Sequence, residues 1–299
     1  MESTKITRKV ASPANDALGG IQTPPPQFKL DASTANSVVQ REEAPAKDSA
    51  GAETSGDPLK VEKGQVTFDA EGNNVEGNKY FSRVIHWPGT DASGVTIGRG
   101  YDMGNRSEAS ILEDMKAAGV SDDQASKIAA AHGKKGADAK QFVVDNKEGI
   151  GQISEEQQKK LFELVYAEYE GKAKNRASNW GSYAQLESDK DFMLTSEQYD
   201  ALHPRIKELL VDFTYRGDYR SKGHAAYSKV NPILKEDVSG SEKMKKLKTL
   251  LETYRDGLPK GDFMITRTNA RISLMDTGIA EATITEQQAP IQAPTDAPK

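Results

Sequence analysis

The sequence contains no cysteine. A disulfide framework is excluded, and so is every mechanism that needs a thiolate nucleophile, the papain-like cell-wall peptidases among them. The absence fits synthesis in a reducing compartment, and equally a chain that must refold after crossing an oxidising space. Long apolar runs are missing too: none approaches the ~18 residues of a membrane span. The N-terminal MESTKITRKV carries charge but no apolar core, so no signal peptide is expected. A target at the cell wall or in the periplasm would then be reached by release or through another export apparatus. Histidine is scarce, with four residues, His86, His132, His203 and His224. None stands in an HExxH or other zinc-binding spacing, so neither a metallopeptidase nor any metal or cofactor is expected. Positive charge is not in excess: 40 basic residues face 45 acidic ones, for a net charge of −5. That excludes nucleic-acid binding by bulk charge and gives no general adhesion to an anionic wall.

Aromatic residues are absent from most of both ends. Before residue 61 only Phe28 occurs, and none follows Asp276. Proline, alanine and serine are concentrated there instead. The composition predicts a disordered segment over 1–60, a folded body over 61–276 and a disordered tail over 277–299. The body is of single-domain size, and a monomer is expected. Within the first segment, Thr23-Pro24-Pro25-Pro26-Gln27-Phe28-Lys29-Leu30 reads as a stiff polyproline II stretch with two apolar side chains, or simply as a linker. It resembles short motifs near the N-termini of proteins made with contractile injection systems. That resemblance implies docking of residues 1–60 on an injection or phage-tail-like assembly.

What is present begins at Val61. Val66-Thr67-Phe68-Asp69-Ala70 alternates like a strand, and Gly94-Val95-Thr96-Ile97-Gly98 is a second strand-like region among glycines. Residues 61–105 thus predict a small β-containing lobe. From Ser107 the signals are helical. Ser107 can cap Ile111, Leu112 and Met115. Ser121 with Gln124, Ser154 with Gln157 and Thr195 with Gln198 match capping boxes. Pro204 suits a first turn before Ile206, Leu209, Leu210 and Phe213. Met244, Leu247, Leu250, Leu251 and Tyr254 form an apolar stripe closed by Gly257, and a last helix is predicted over 263–275. The Lys243, Lys245, Lys246 and Lys248 cluster reads as a solvated helix face. The fold class is α+β, with a larger helical lobe and a cleft between the two.

Glu76, Thr96 and Asp102 are the candidate working groups. Glycoside hydrolysis needs one neutral carboxyl to protonate the leaving oxygen and one ionised carboxylate to activate water or face the oxocarbenium-like centre. Glu76 precedes Gly77, where the backbone can turn, Asp102 closes a glycine-rich segment, and Thr96 offers a hydroxyl to a water. Spacing alone does not single these out among 45 acidic residues. Glu71, before Gly72, rivals Glu76, and Asp91, five residues ahead of Thr96, rivals Asp102.

Ser93-Gly94-Val95-Thr96-Ile97-Gly98-Arg99-Gly100-Tyr101-Asp102-Met103 closely resembles the active-site hairpin of the phage-lysozyme superfamily. With Glu76-Gly77, Ser82-Arg83 and Trp87-Pro88-Gly89, the pattern is similar to the pesticin-like muramidase branch, and Val211–Asp218 resembles that branch's helical lobe. The resemblance spans about 61–276. It implies a two-lobed lysozyme-like domain that hydrolyses, without cofactor and with inversion, the β-1,4 bond between N-acetylmuramic acid and N-acetylglucosamine in peptidoglycan glycan strands. Glu76 would then be the general acid, with Asp102 and Thr96 handling the water. Asp102 is preferred to Asp91 because that branch places its aspartate after the threonine, and Glu76 to Glu71 because Ser82-Arg83 follows at the family spacing. His86, Arg99, Tyr101 and Arg216 are candidate sugar or peptide contacts, as is Asp212. A catalytically silent binding or structural module of an injection assembly is the alternative. Delivery to rivals as an antimicrobial toxin and opening of the producer's own wall both fit the sequence.

Overall fold

The computed structural model describes residues 57, 59–179, 187–220 and 225–288. The expected N-terminal disordered segment and its proline-rich motif lie outside these residues, apart from positions 57, 59 and 60. The chain opens with helix α1 (Gln65–Ala70), followed by a long loop and a two-stranded antiparallel hairpin, β1 (Thr96–Ile97) and β2 (Tyr101–Asp102). In the hairpin Thr96 lies opposite Asp102 and Ile97 opposite Tyr101. Everything after it is helical: α2 (Glu108–Ala117), α3 (Asp122–Ala129), α4 (Gly136–Ile150), α5 (Glu155–Ser178), a 3-10 turn (Glu187–Phe192), α6 (Ser196–Asp200), α7 (Pro204–Arg216), α8 (Ala225–Lys235), α9 (Gly240–Asp256) and α10 (Met264–Gln288). The class is α+β, with helix dominant.

Two hydrophobic cores organise the molecule. The first joins the hairpin to α2, α3, α4 and the start of α5 through Ile85, Ile97, Tyr101, Met115, Ile128 and Leu161. The second joins α1 to the rest of α5 and to α6–α10 through Phe68, Phe162, Tyr166, Leu209, Leu247 and Met275. Helix α5 serves both: Leu161 and Val165 pack into the first core, Phe162 and Tyr166 into the second. These pairs are neighbouring rows of one helix, so α5 is apolar on two faces. Tyr169 and Tyr215 pack against both cores and stack on each other at a centroid distance of 4.2 Å.

The helix starts follow local chemistry. The hydroxyls of Ser107, Ser154 and Thr195 accept from the N–H three residues on, and the last two form complete capping boxes with Gln157 and Gln198. Ser121 caps α3, but its partner Gln124 reaches instead to the carbonyls of Ile150 and Gln152. Pro204 occupies the first turn of α7 and left-handed Gly217 closes it. Gly257 caps α9 in a right-handed conformation.

Several expectations are corrected. Residues 66–70 are helical, because tertiary contacts override a five-residue alternation. Phe68 is fully buried against Phe162, and Thr67 donates to Asp212 at 3.0 Å. The last helix does not stop near Asp276 but runs on to Gln288, so the tail expected from 277 is helical through that point. Ile279 and Ala282 pack on the second core, and Glu281 pairs with Arg205 at 2.7 Å. Helices α4 and α8 were not anticipated. The Lys243–Lys248 cluster is not simply solvated: Lys246 pairs with Glu236, Lys248 with Asp276, and Lys243 donates to the Leu234 carbonyl.

Candidate active site

The site is built where α1 ends. Left-handed Gly64 precedes α1, and a Cβ there would overlap the Tyr166 ring. Glu71 caps the other end, donating its N–H to the Thr67 carbonyl at 3.0 Å. Its side chain is sheltered, the residue being 8% exposed, and its Oε1 accepts from Arg267 Nη1 at 2.6 Å. Arg267 also donates to Asp212 Oδ1 at 2.6 Å, and Arg271 Nε donates to Asp212 Oδ2 at 2.6 Å. Two arginines of α10 thus bind a buried aspartate of α7, and one of them, Arg267, also holds the glutamate at the end of α1. Burial raises the Asp212 carboxyl, but Arg267 and Arg271 outweigh it and hold it well below the usual carboxylate range.

The hairpin is stitched to this end of α1 by Arg99. Its turn uses left-handed Gly98 and Gly100. The Arg99 guanidinium donates to the Phe68 carbonyl and, at 2.6 Å, to Asn74 Oδ1, and lies 3.8 Å from the Phe68 ring centroid. A Cβ on Gly72 would overlap that guanidinium, which explains a glycine directly after Glu71. Tyr215 of α7 donates to the Arg99 carbonyl at 2.7 Å. Arg99 is 3% exposed, and burial pulls it down to about 10. It clamps the hairpin turn to the end of α1.

Thr96 is 4% exposed and exchanges both backbone hydrogen bonds with His86 at 2.8 Å. Its hydroxyl makes only a long 3.4 Å bond to the Gly94 carbonyl. Asp102, opposite it, is half-buried. One carboxylate oxygen accepts from the Gly104 N–H at 2.7 Å and the other from the Gly94 N–H at 3.1 Å. Two backbone donors therefore fix its orientation, and a Cβ on Gly94 would collide with it.

The other expected residues fall elsewhere. Glu76 is exposed on the loop after α1, where it accepts from Gln152 Nε2 at 2.6 Å. Asn73 and Ser82 close the base of that loop, their N–H groups donating to the Ser82 hydroxyl and the Asn73 carbonyl at 2.8 and 2.9 Å. The excursion between them carries Glu76 away from the buried network that holds Glu71. Asp91 is exposed. Tyr101 is buried and donates to Asp114 at 2.6 Å. His86 is buried with Nδ1 at 3.1 Å from the Val84 carbonyl, and burial pulls its imidazole down to about 4. Arg216 pairs with Asp218. Tyr101 and His86 thus belong to the packing behind the hairpin. Arg267 and Arg271 went unnoticed in the sequence, where no local pattern links them to a glutamate 196 residues away. Among the described residues no group of three or more His, Asp or Glu side chains is placed to hold a metal, and no helix is long and apolar enough to cross a membrane.

The chain belongs to the family described as Domain of unknown function (DUF8812), whose model matches residues 64–260. That range takes in Glu71, the hairpin and Asp212, and stops before α10. No curated protein matches the chain.

Proposed function

We propose that this protein is a muramidase, a glycoside hydrolase that cleaves the β-1,4 bond between N-acetylmuramic acid and N-acetylglucosamine in peptidoglycan. The observation that carries this reading is the sheltered, arginine-anchored Glu71 carboxyl at the end of a helix that Arg99 stitches to the hairpin in which Thr96 lies opposite Asp102. The two hydrophobic cores correspond to the two lobes of a lysozyme-like domain, with α5 running through both, and the glycan strand lies in the cleft between them. Glu71, in place of Glu76, protonates the leaving oxygen. Its fixed position at the helix end is what general acid catalysis asks of a group that must meet one atom of the substrate. Asp102 supplies the second carboxylate and acts on the attacking water, whose position the loosely held Thr96 hydroxyl sets. Attack of that water as the leaving oxygen takes its proton inverts the anomeric carbon. No cofactor takes part. Residues 1–60 dock the enzyme on the assembly that delivers or releases it, and it acts as a monomer at the wall.

The test is digestion of purified peptidoglycan, with reducing ends and product mass recorded. Wild type should release muramic-acid-terminated fragments, Glu71→Gln should not, and Glu76→Gln should. A Glu71→Gln variant that still cuts would sink the assignment, and a folded wild type that binds wall without cutting it would establish the silent module instead.

A further inference from the structure

A cavity of about 430 Å³ lies between the end of α7, α8, α9 and α10, and it takes no part in the site above. Phe213, Val230 and Leu251 give it buried apolar walls, and Tyr254, 45% exposed, stands at the rim. The charged residues lining it are Arg216, Lys229, Arg271 and Asp218; Arg216 pairs with Asp218 and Arg271 with Asp212, which leaves the charge of Lys229.

Arg271 is the reason to expect a ligand. It is 1% exposed, its Nε is engaged by Asp212 at 2.6 Å, and its guanidinium carbon lies 4.3 Å from the Phe213 ring centroid. Its Nη2 is buried without a hydrogen-bond partner. A carboxylate oxygen of Asp218 stands 3.8 Å away, beyond hydrogen-bonding range, and Asp218 is itself paired with Arg216. A buried donor left without an acceptor is costly, and burial pulls this guanidinium below its usual value, so an added anion would be favourable there. The anchor to Asp212 also means that little ordering is lost when an acceptor arrives. Apolar walls with a few convergent polar groups, at this volume, match a small-molecule site.

We propose that this cavity binds a small apolar carboxylate. Its carboxyl sits at Arg271, supported by the charge of Lys229, and its hydrocarbon body lies between Phe213, Val230 and Leu251. The linked Asp212 and Arg267 connect this seat to Glu71, but the binding claim stands apart from any catalytic role.

The experiment is calorimetric titration of the full chain with hexanoate and, separately, with neutral hexanamide. Hexanoate should bind saturably and at least tenfold more tightly than the amide, and should raise Tm with dose. Ala226→Phe, which places a ring in the cavity from the partly exposed face of α8, should abolish binding. Lys229→Glu, at an exposed position, should weaken it several-fold without unfolding the protein. Equal affinity for the amide, no hexanoate binding up to its solubility, or unchanged binding in both variants would overturn the proposal. None of these readouts depends on wall hydrolysis, so they separate this site from the muramidase reading.

Discussion

Two glutamate–glycine pairs lie five residues apart, and the fold treats them in opposite ways. Glu71 closes α1, sheltered from water and held by Arg267 at 2.6 Å. Glu76 rides an exposed loop with a single amide donor, Gln152. Their glycines differ as well. Gly72 is required because the Arg99 guanidinium fills the space of a side chain, whereas Gly77 is required by a left-handed backbone, with φ 84° and open space around it. The same dipeptide therefore serves a packed junction in one place and a free turn in the other. A carboxyl acquires a fixed direction only where distant elements converge on it.

The comparison can be broken most sharply at the chemistry. Glu71→Gln should lower reducing-end release by roughly 10²- to 10⁴-fold, the ordinary contribution of a general acid. Loss of comparable size in Glu76→Gln would reverse the assignment. Next comes the network behind Glu71. Asp212→Ala leaves two buried guanidinium groups without their shared partner and should cost about 3–5 kcal/mol in urea denaturation. A loss near that of a surface mutant would show that the buried pairs do not couple α7 to α10.

The hairpin side offers a pH signature. His86 titrates at about 4 when folded against 6.5 ordinarily. The unfolded chain therefore takes up the proton first. The stability from keeping this histidine neutral is complete above pH 6.5, declines as pH falls toward 4 and is level below. The total is about 3 kcal/mol at ~1.36 kcal/mol per pKa unit. His86→Gln should remove that slope, and an unchanged slope would place the titration elsewhere. The smallest effect belongs to the loop: Glu76→Gln should change stability by less than about 0.5 kcal/mol, as exposed positions do, and a larger shift in Tm would mean that the Gln152 contact holds the loop in place.

Much of the helical framework was legible because its signals are local. A serine or threonine three residues before a glutamine, or a proline in a first turn, satisfies backbone groups within a few positions. The Thr96–Asp102 hairpin was legible for the same reason, its glycines marking a turn that the structure contains. The identity of the sheltered acid was not. Asp69 and Ala70 continue an alternation that a strand would also show, so nothing local marks Glu71 as the end of a packed helix. Its partner lies on α10, beyond a chain segment that no periodicity bridges. Arg99, Tyr101 and His86 carried polar groups that suggested substrate contacts, but each is spent on the Phe68 carbonyl, Asp114 or the Val84 carbonyl. The final helix beyond 276 lacked aromatic residues, and its place depends on Arg205 and Met244 surrounding Gly278.

By itself the sequence determined the α+β class, the capped helices after Ser107 and the register-compatible threonine and aspartate of the hairpin. These follow from backbone hydrogen bonds and apolar periodicity, which act over a few residues. Tertiary structure alone decided which glutamate is sheltered, which polar side chains are consumed as clamps and where the cavity between α7 and α10 opens. Those outcomes depend on burial and on charges brought together across almost the whole folded body, and burial is a property of the packed molecule that no short stretch of sequence contains.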